Sequence, residues 1–535
     1  MARKQARPRP AQYVTLAPLQ TTCRACGCRM RMGHHSHRTV TTLQGVTRLT
    51  LKVYRCRNAE CSRFHQPTRP EEEGGWALPH GEFGLDVIAL VGALRYQQQR
   101  SIPQIHEELR RRGLQVAERT ATNQLYRYEE LLALYLADET RLCERLKEQK
   151  QVILALDGLQ PDVGHEVLWV LRDCCSGEVL VARSLLGATE KDLVPLLEEV
   201  ANLCRILEIP IKGVITDGQH SIRNAVASAL PDIPHQLCHF HYLREAAKPI
   251  ADADRHAKKE LKKHVRGVRP IERSLEGRTD EEAEAIRGYC LAVRSALTDD
   301  GRPPLDADGL KLKKRLQDIS GSIVRIEQKR KLPNELSRLQ RLVQTGLTAT
   351  ENLWPAIEQA YAWVHQAAHL LANADQHDVD TLKQEYQQLL STMTQQQDQL
   401  GALAPAVTHF QKVTASYWDG LFACYQVNDL PRTNNDLEQF FGTARHAERR
   451  ATGRKRASPT LVVRGSVRVV AAGASRILSI SAADLCPSNI TAWQALRQAL
   501  DYRHEGRRRQ LRFRRDPQTY LASLEECLYR SGLPS

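Results

Sequence analysis

Apolar positions along the chain change their spacing several times, and each change marks a predicted element. Between residues 84 and 147 they recur at helical spacing: Leu85, Ile88, Ala89 and Gly92, then Ile102, Ile105 and Leu109. Ser101 is placed to cap a helix over 102–112, and Gly113, behind Arg110, Arg111 and Arg112, reads as its stop. A second helix is predicted from Glu118 through Leu125 and Leu132 to Leu136. From residue 150 the pattern becomes short apolar runs: 151–157 ending in Asp157, then 166–172 and 178–183, with Ser176-Gly177 as a hairpin turn signal. Helical spacing returns over 191–207, a strand-like run over 211–217 ends in Asp217, and a helix is predicted over 220–230. Three strands, a helix, a strand and a helix describe an α/β domain with a mixed sheet over 150–245.

Residues 246–430 lose that alternation. They are rich in Lys, Glu, Gln and Leu, with long helical patterns such as 310–347 and 381–400, and read as an all-helical insertion. Residues 431–480 return to short basic and apolar stretches, and 481–535 form a basic tail with Arg507, Arg508, Arg509, Arg512, Arg514 and Arg515. At the other end, 1–20 read as a flexible arm rich in Arg and Pro, and Glu-Glu-Glu-Gly-Gly at 71–75 reads as a linker.

Composition narrows the class. The chain has 535 residues, 42% hydrophobic and 26% charged, enough for several domains with ordinary cores. The apolar stretch 461–480 is broken by Arg464, Arg468 and Arg476, so no membrane span is expected, and the basic start has no apolar segment of a secretory signal. The net charge of +14 favours a polyanionic partner, since cations that meet phosphates release condensed counterions. Five of the 14 cysteines fall between residues 23 and 61. That crowding, without an export signal, points to a reducing cytoplasm and a metal site rather than disulfides.

Cys23-x2-Cys26 is followed by Cys56-x4-Cys61, and the 29 residues between the pairs hold a predicted hairpin over 38–55 with Gly45 at its turn. Two such knuckles joined by strands make a zinc ribbon over 21–70, with four thiolates around a structural Zn²⁺; Cys28 and His65 are substitute ligands. The metal would supply much of the stability of so small a module.

Asp157 and Asp217 each close an apolar run and each precede a glycine, Gly158 and Gly218, that would let the chain turn and leave the acid at the strand tip. Two acids at strand ends repel each other unless they share a divalent cation. A pair of Mg²⁺ or Mn²⁺ ions about 4 Å apart can activate a water or a 3′-hydroxyl and stabilise the leaving oxygen of a phosphodiester. Such a site wants a third carboxylate. Glu438 is the best candidate, on a helix capped by Thr433 or Asn434, with Asn434 and Arg445 on its face and Leu437, Phe440 and Phe441 turned inward. Asp436 and Glu448 are its rivals.

Ser101 to Leu136 has the rhythm of a helix-turn-helix. Its second helix would offer Arg119, Thr120, Asn123, Gln124 and Arg127 to the major groove, where Arg suits guanine and Asn adenine. The densest basic run, 446–456, follows the proposed acid helix, and with Arg445 it would present Arg449, Arg450, Arg454, Lys455 and Arg456 to phosphates.

Four segments carry a family resemblance: Ile-Leu-Ala-Leu-Asp157-Gly, Gly-Val-Ile-Thr-Asp217-Gly, Cys238-His-Phe-His241 and Asn-Asn-Asp-Leu-Glu438. They resemble the motifs of insertion-sequence DDE transposases with an RNase H-like catalytic domain, closest to the Mutator-like group. The likeness covers roughly 150–245 and 430–470. Glu438 lies 221 residues after Asp217, which suits the large helical insertion such enzymes carry before the glutamate helix. Cys238 and His241 match the group's Cys-x-x-His element, for which packing and metal binding both stay open. Gly-Leu-Gln-Pro after Asp157 departs from relatives that carry a hydroxyl residue there.

The resemblance implies a cytoplasmic, nucleoid-associated enzyme. It would bind double-stranded DNA, both transposon ends and target, and cut and join strands through a 3′-hydroxyl as a homodimer or larger assembly. The expected fold is multidomain: a zinc ribbon, a helix-turn-helix over 84–147, and an RNase H-like α/β domain over 150–245 and 431–480 interrupted by the helical insertion. An RNase H-like nuclease without strand transfer, and a catalytically idle DNA-binding regulator, are the alternatives.

Overall fold

The predicted hairpin forms and extends beyond its expected start. In the computed structural model, which describes residues 9–160, 166–454 and 459–531, β1 (Gln12–Leu16), β2 (Arg31–Thr42), β3 (Gly45–Arg55) and β4 (Pro67–Thr68) make one small sheet. β2 and β3 pair antiparallel across Gly45, whose φ of 119° suits a residue without a side chain. β1 runs parallel to β3, from Gln12 opposite Thr47 to Leu16 opposite Leu51. Part of the expected arm is therefore a strand, because Val14 and Leu16 pack with Val40, Leu49 and Leu51. The expected linker is tied down as well. α1 (Glu73–Trp76) places Glu73 2.9 Å from Arg38 and 2.7 Å from Arg69.

Next come α2 (Leu85–Tyr96), α3 (Ile102–Arg111), α4 (Glu118–Leu136) and α5 (Glu139–Gln149). Ser101 and Gln104 form a reciprocal capping box at the start of α3. α2 and α4 approach closely: a Cβ on Gly92 would lie 2.1 Å from Tyr128 Cε2.

β5 (Val152–Leu159), β6 (Val167–Asp173) and β7 (Val179–Leu185) follow as an antiparallel meander, then α6 (Glu190–Ile206). Every residue from Val152 to Leu156 is buried, so β5 is a core strand covered on both sides. β8 (Ile211–Thr216), α7 (His220–Ala229) and β9 (His235–Leu237) come next, with β9 parallel to β8.

From there to residue 434 the chain is helical and irregular only: α8 (His239–Ala246), α9 (Lys248–His264), α10 (Val268–Ser274), α11 (Glu281–Thr298), α12 (Asp308–Glu327), α13 (Asn334–Ala349), α14 (Trp354–Ala372), α15 (Val379–Gln396) and α16 (Ala404–Tyr417), with short 3-10 turns between. The final elements are α17 (Asn435–Thr452), α18 (Pro459–Ile477), α19 (Ile490–Arg515) and α20 (Pro517–Ser531). The fold is thus mixed α/β and mostly helical, with its strands in small mixed sheets. Among the described residues no helix is long and apolar enough to cross a membrane.

Two compact units divide the chain: residues 1–211 with 435–535, and residues 212–434. The second has a core of its own, in which Tyr242 shares hydrogen bonds of 2.7 Å with Tyr386 and with Thr414. In the first, Val470, Ala471, Leu485 and Trp493 join the core of α2 and α4. Helices α2 and α4 thus share a core with residues of α18 and α19.

Candidate functional site

The clearest site is built by the two cysteine pairs. The Sγ atoms of Cys23, Cys26, Cys56 and Cys61 all lie within 4.8 Å of one another, with Cys23 3.7 Å from Cys61 and Cys26 3.6 Å from Cys56. Each pair sits on a tight turn. Gly27, at φ 70°, donates its N–H to the Cys23 carbonyl, and the Arg63 N–H points to Cys61 Sγ at 3.3 Å. The backbone N–H of Cys28 leads the interactions that pull the Cys26 thiol down to about 6. At Cys56 the Asn58 N–H pulls downward, but burial and the facing thiols outweigh it and push the group up to about 12. Four such sulfurs cannot all ionise together without a cation to share, so the donor set fits a tetrahedral thiolate-bound metal. Neither expected substitute is needed: Cys28 is exposed, and His65 is exposed with its ring 4.1 Å from Phe64.

Asp157 lies within β5, opposite Val170, and its Oδ1 accepts the Gly158 N–H at 2.7 Å. The expected turn at Gly158 is absent, since β5 runs on through Leu159. Gly158 serves packing instead: opposite Trp169, a Cβ there would come within 2.9 Å of Val167 and 3.1 Å of Trp169. Gly218 does turn the chain, at φ 85°, directly after Asp217, whose Oδ1 accepts the Gln219 N–H at 2.9 Å. Asp217 lines a cavity of about 650 Å³ within the second unit, together with His241, Arg244, Lys248, Arg255 and Tyr417.

Glu438 is half-buried in the first turn of α17, which packs against β5. Leu437 and Phe441 are buried as expected, and Phe440 lies under the Arg172 guanidinium, 5.7 Å from its ring centre. Of the rivals, Glu448 is engaged by Arg95 at 3.0 Å and by Arg468 at 3.1 Å, while Asp436 is exposed. Asp157 and Glu438 thus sit on packed elements of the first unit, and Asp217 belongs to the second.

Arg445, Arg449, Arg450 and Arg454 are exposed on or just beyond α17; Lys455 and Arg456 lie outside the described residues. On α4, Arg119 and Asn123 are exposed, and Thr120, Gln124 and Arg127 are half-buried. Arg127 pairs with Glu130 and lies over the Trp493 ring at 5.8 Å. Arg119, Asn123 and Arg127 share the wall of a cleft of about 630 Å³ with Arg497 and Arg508 of α19. The sequence pattern had not connected those two arginines to α4, because more than 360 residues of chain intervene.

Cys238 is buried and its Sγ accepts the Asn434 N–H at 3.3 Å. His239 is buried with Nε2 2.7 Å from the Leu421 carbonyl, and burial, before the nearby Arg432, brings its ring down to about 4.

No protein-family model matches this chain, and no curated protein matches it.

Proposed function

We propose that this chain is a DNA transposase of the DDE type, with an RNase H-like catalytic domain, that binds transposon ends and carries out metal-dependent cleavage and 3′-hydroxyl strand transfer. The observation that carries the reading is α17. It packs on the strand that bears Asp157, holds Glu438 in its first turn, and exposes Arg445, Arg449 and Arg450 further along. Glu438 and Arg449 are separated by roughly 16 Å of helix, a span that lets one element serve both a metal and the phosphates beside it.

Asp157, Asp217 and Glu438 are the proposed ligands of two Mg²⁺ or Mn²⁺ ions, which would activate the attacking oxygen and stabilise the leaving one. Zn²⁺ is the proposed occupant of the four-cysteine site, holding the ribbon folded. Double-stranded DNA is the proposed partner of α4 and of the basic face of α17.

The test is incubation of the purified chain with labelled duplex carrying the inverted repeats that flank its gene, with Mg²⁺ or Mn²⁺ and a target plasmid. Nicked ends and joined products are expected, and both should vanish in Asp157→Asn, Asp217→Asn and Glu438→Gln. Cleavage without joining would make the chain a nuclease. Specific binding with neither product would make it a regulator.

A further inference from the structure

We propose that α20, with the outer half of α19, is a self-association surface, and that its occupant is the same pair of helices from a second copy of this chain. α19 begins anchored, with Trp493 in the core of α2 and α4 and Leu500 buried. From Arg508 to Arg530, however, every residue except Tyr520 is exposed. Within that stretch stand Leu511, Phe513, Leu521, Leu524, Leu528 and Tyr529, the last two 71% and 75% exposed. Large apolar side chains so concentrated mark a protein-binding surface rather than the scattered exposure of an ordinary one.

The spacing is specific. Leu521, Leu524 and Leu528 recur at three and four residues, the seam of a helix that packs along another helix. A helix of 15 residues is marginal in water by itself and takes its stability from packing one face. The ring contact of Phe513 with Tyr520, centres 5.8 Å apart, joins α19 to α20 near the junction between them.

Charge selects the occupant. The outer half of α19 carries Arg508, Arg509, Arg512, Arg514 and Arg515 against one acid, Glu505, which Arg508, Arg509 and Arg512 share, whereas α20 carries Glu525 and Glu526 beside its apolar seam, Glu526 being paired with Arg530 of the same helix. The two helices are complementary to each other. α20 of one copy laid antiparallel on α19 of the next would set acids against arginines and cover the leucines of α20 together with Leu511 and Phe513, and a two-fold axis makes that exchange mutual. An anionic surface such as DNA would satisfy the arginines, yet it would meet Glu525 and Glu526 and leave the leucine seam in water.

This inference stands apart from the catalytic reading, since self-association is measured without DNA or divalent ions. Light scattering or sedimentation of the full chain at micromolar concentration should give twice the 60.5 kDa mass. Leu521→Glu with Leu524→Glu, both at exposed positions, should give the single-chain mass with an unchanged thermal midpoint for the first unit. Glu525→Arg with Glu526→Arg should weaken the dimer, and adding Arg512→Glu and Arg515→Glu should restore it. A wild-type chain that stays monomeric, a dimer indifferent to the leucine changes, or charge reversals that fail to compensate would each overturn the proposal. A monomer that binds duplex DNA only with α20 intact would assign the surface to nucleic acid instead.

Discussion

Arg468 of α18 holds Glu448 of α17, its Nη1 3.1 Å from Oε1, while its Nε lies 3.0 Å from Glu129 of α4. The pair belongs to a chain of alternating buried charges. Arg95 lies 3.0 Å from Glu448, Arg464 lies 2.9 Å from Glu129 and 3.2 Å from Glu130, and the Trp493 indole N–H donates to Glu130 at 3.1 Å. Glu129 and Glu130 are almost wholly out of water. Such groups persist only when each finds its partner, so the network locks α2, α4, α17, α18 and α19 in one arrangement.

The network separates the roles of two glutamates on α17. Glu448→Gln would leave Arg95 and Arg468 short of a counter-charge and should cost about 3–5 kcal/mol of stability. Glu438→Gln, in the half-buried first turn, should cost less than that, since it removes no charge from this network. It should nonetheless lower the cleavage rate by on the order of 10²–10³-fold, the scale seen when one electrostatic contributor is removed. Urea unfolding beside a cleavage assay distinguishes the two, and equal loss of stability in both variants would contradict the assignment.

Metal removal should act locally. The purified chain should contain one zinc per molecule by elemental analysis, and Cys56→Ser should lose it. Chelation should strip hydrogen-exchange protection from β2 and β3, which the cysteine turns flank, and leave the helices of the second unit protected. Full protection of β2 in metal-free protein would show that the ribbon folds on its own core.

DNA contacts should divide into two kinds. Arg119→Ala and Asn123→Ala should weaken binding to end sequences by about 1–3 kcal/mol each and random duplex far less. Arg449→Ala with Arg450→Ala should weaken both alike and lower the salt slope by about 1 per residue. Fluorescence anisotropy across a salt series reads both quantities, and a uniform loss from Arg119→Ala would remove α4 from sequence recognition.

Stability of the second unit should fall in mild acid. Burial holds His235 and His239 at about 4, below the usual value near 6.5. Above 6.5 both folded and unfolded chains leave these rings neutral. Between 6.5 and 4 the unfolded chain takes up protons that the folded one refuses, so stability drops as pH falls and levels off below 4. Each ring contributes at most about 1.4 kcal/mol per pH unit. Denaturant midpoints from neutral pH to 4 should show the decline, and His235→Asn with His239→Gln should flatten it.

Much of the local structure was legible from spacing. α4 begins at Glu118 and ends at Leu136 as the apolar pattern indicates, and Ser101 caps α3. Gly158 was misread: its role depends on Trp169, which faces it from β6, and no neighbour in sequence reveals that. The arginines at 464 and 468 look like interruptions of an apolar stretch, since two of the acids they meet, Glu129 and Glu130, lie more than 330 residues earlier. The compact second unit begins at residue 212, ahead of the helical stretch predicted from 246, because compactness follows contacts and not composition.

The sequence alone determined the helix and strand periods, the paired cysteines and the candidate acids, because these depend on residues a few positions apart. Only the tertiary structure decided that the four thiols meet, that Glu448 is held by Arg95 and Arg468, and that α19 lines a cleft with α4. Those outcomes depend on side chains that packing brings together from 30 residues apart, for Cys26 and Cys56, to 353 apart, for Arg95 and Glu448, where burial makes an unmatched charge too costly to keep.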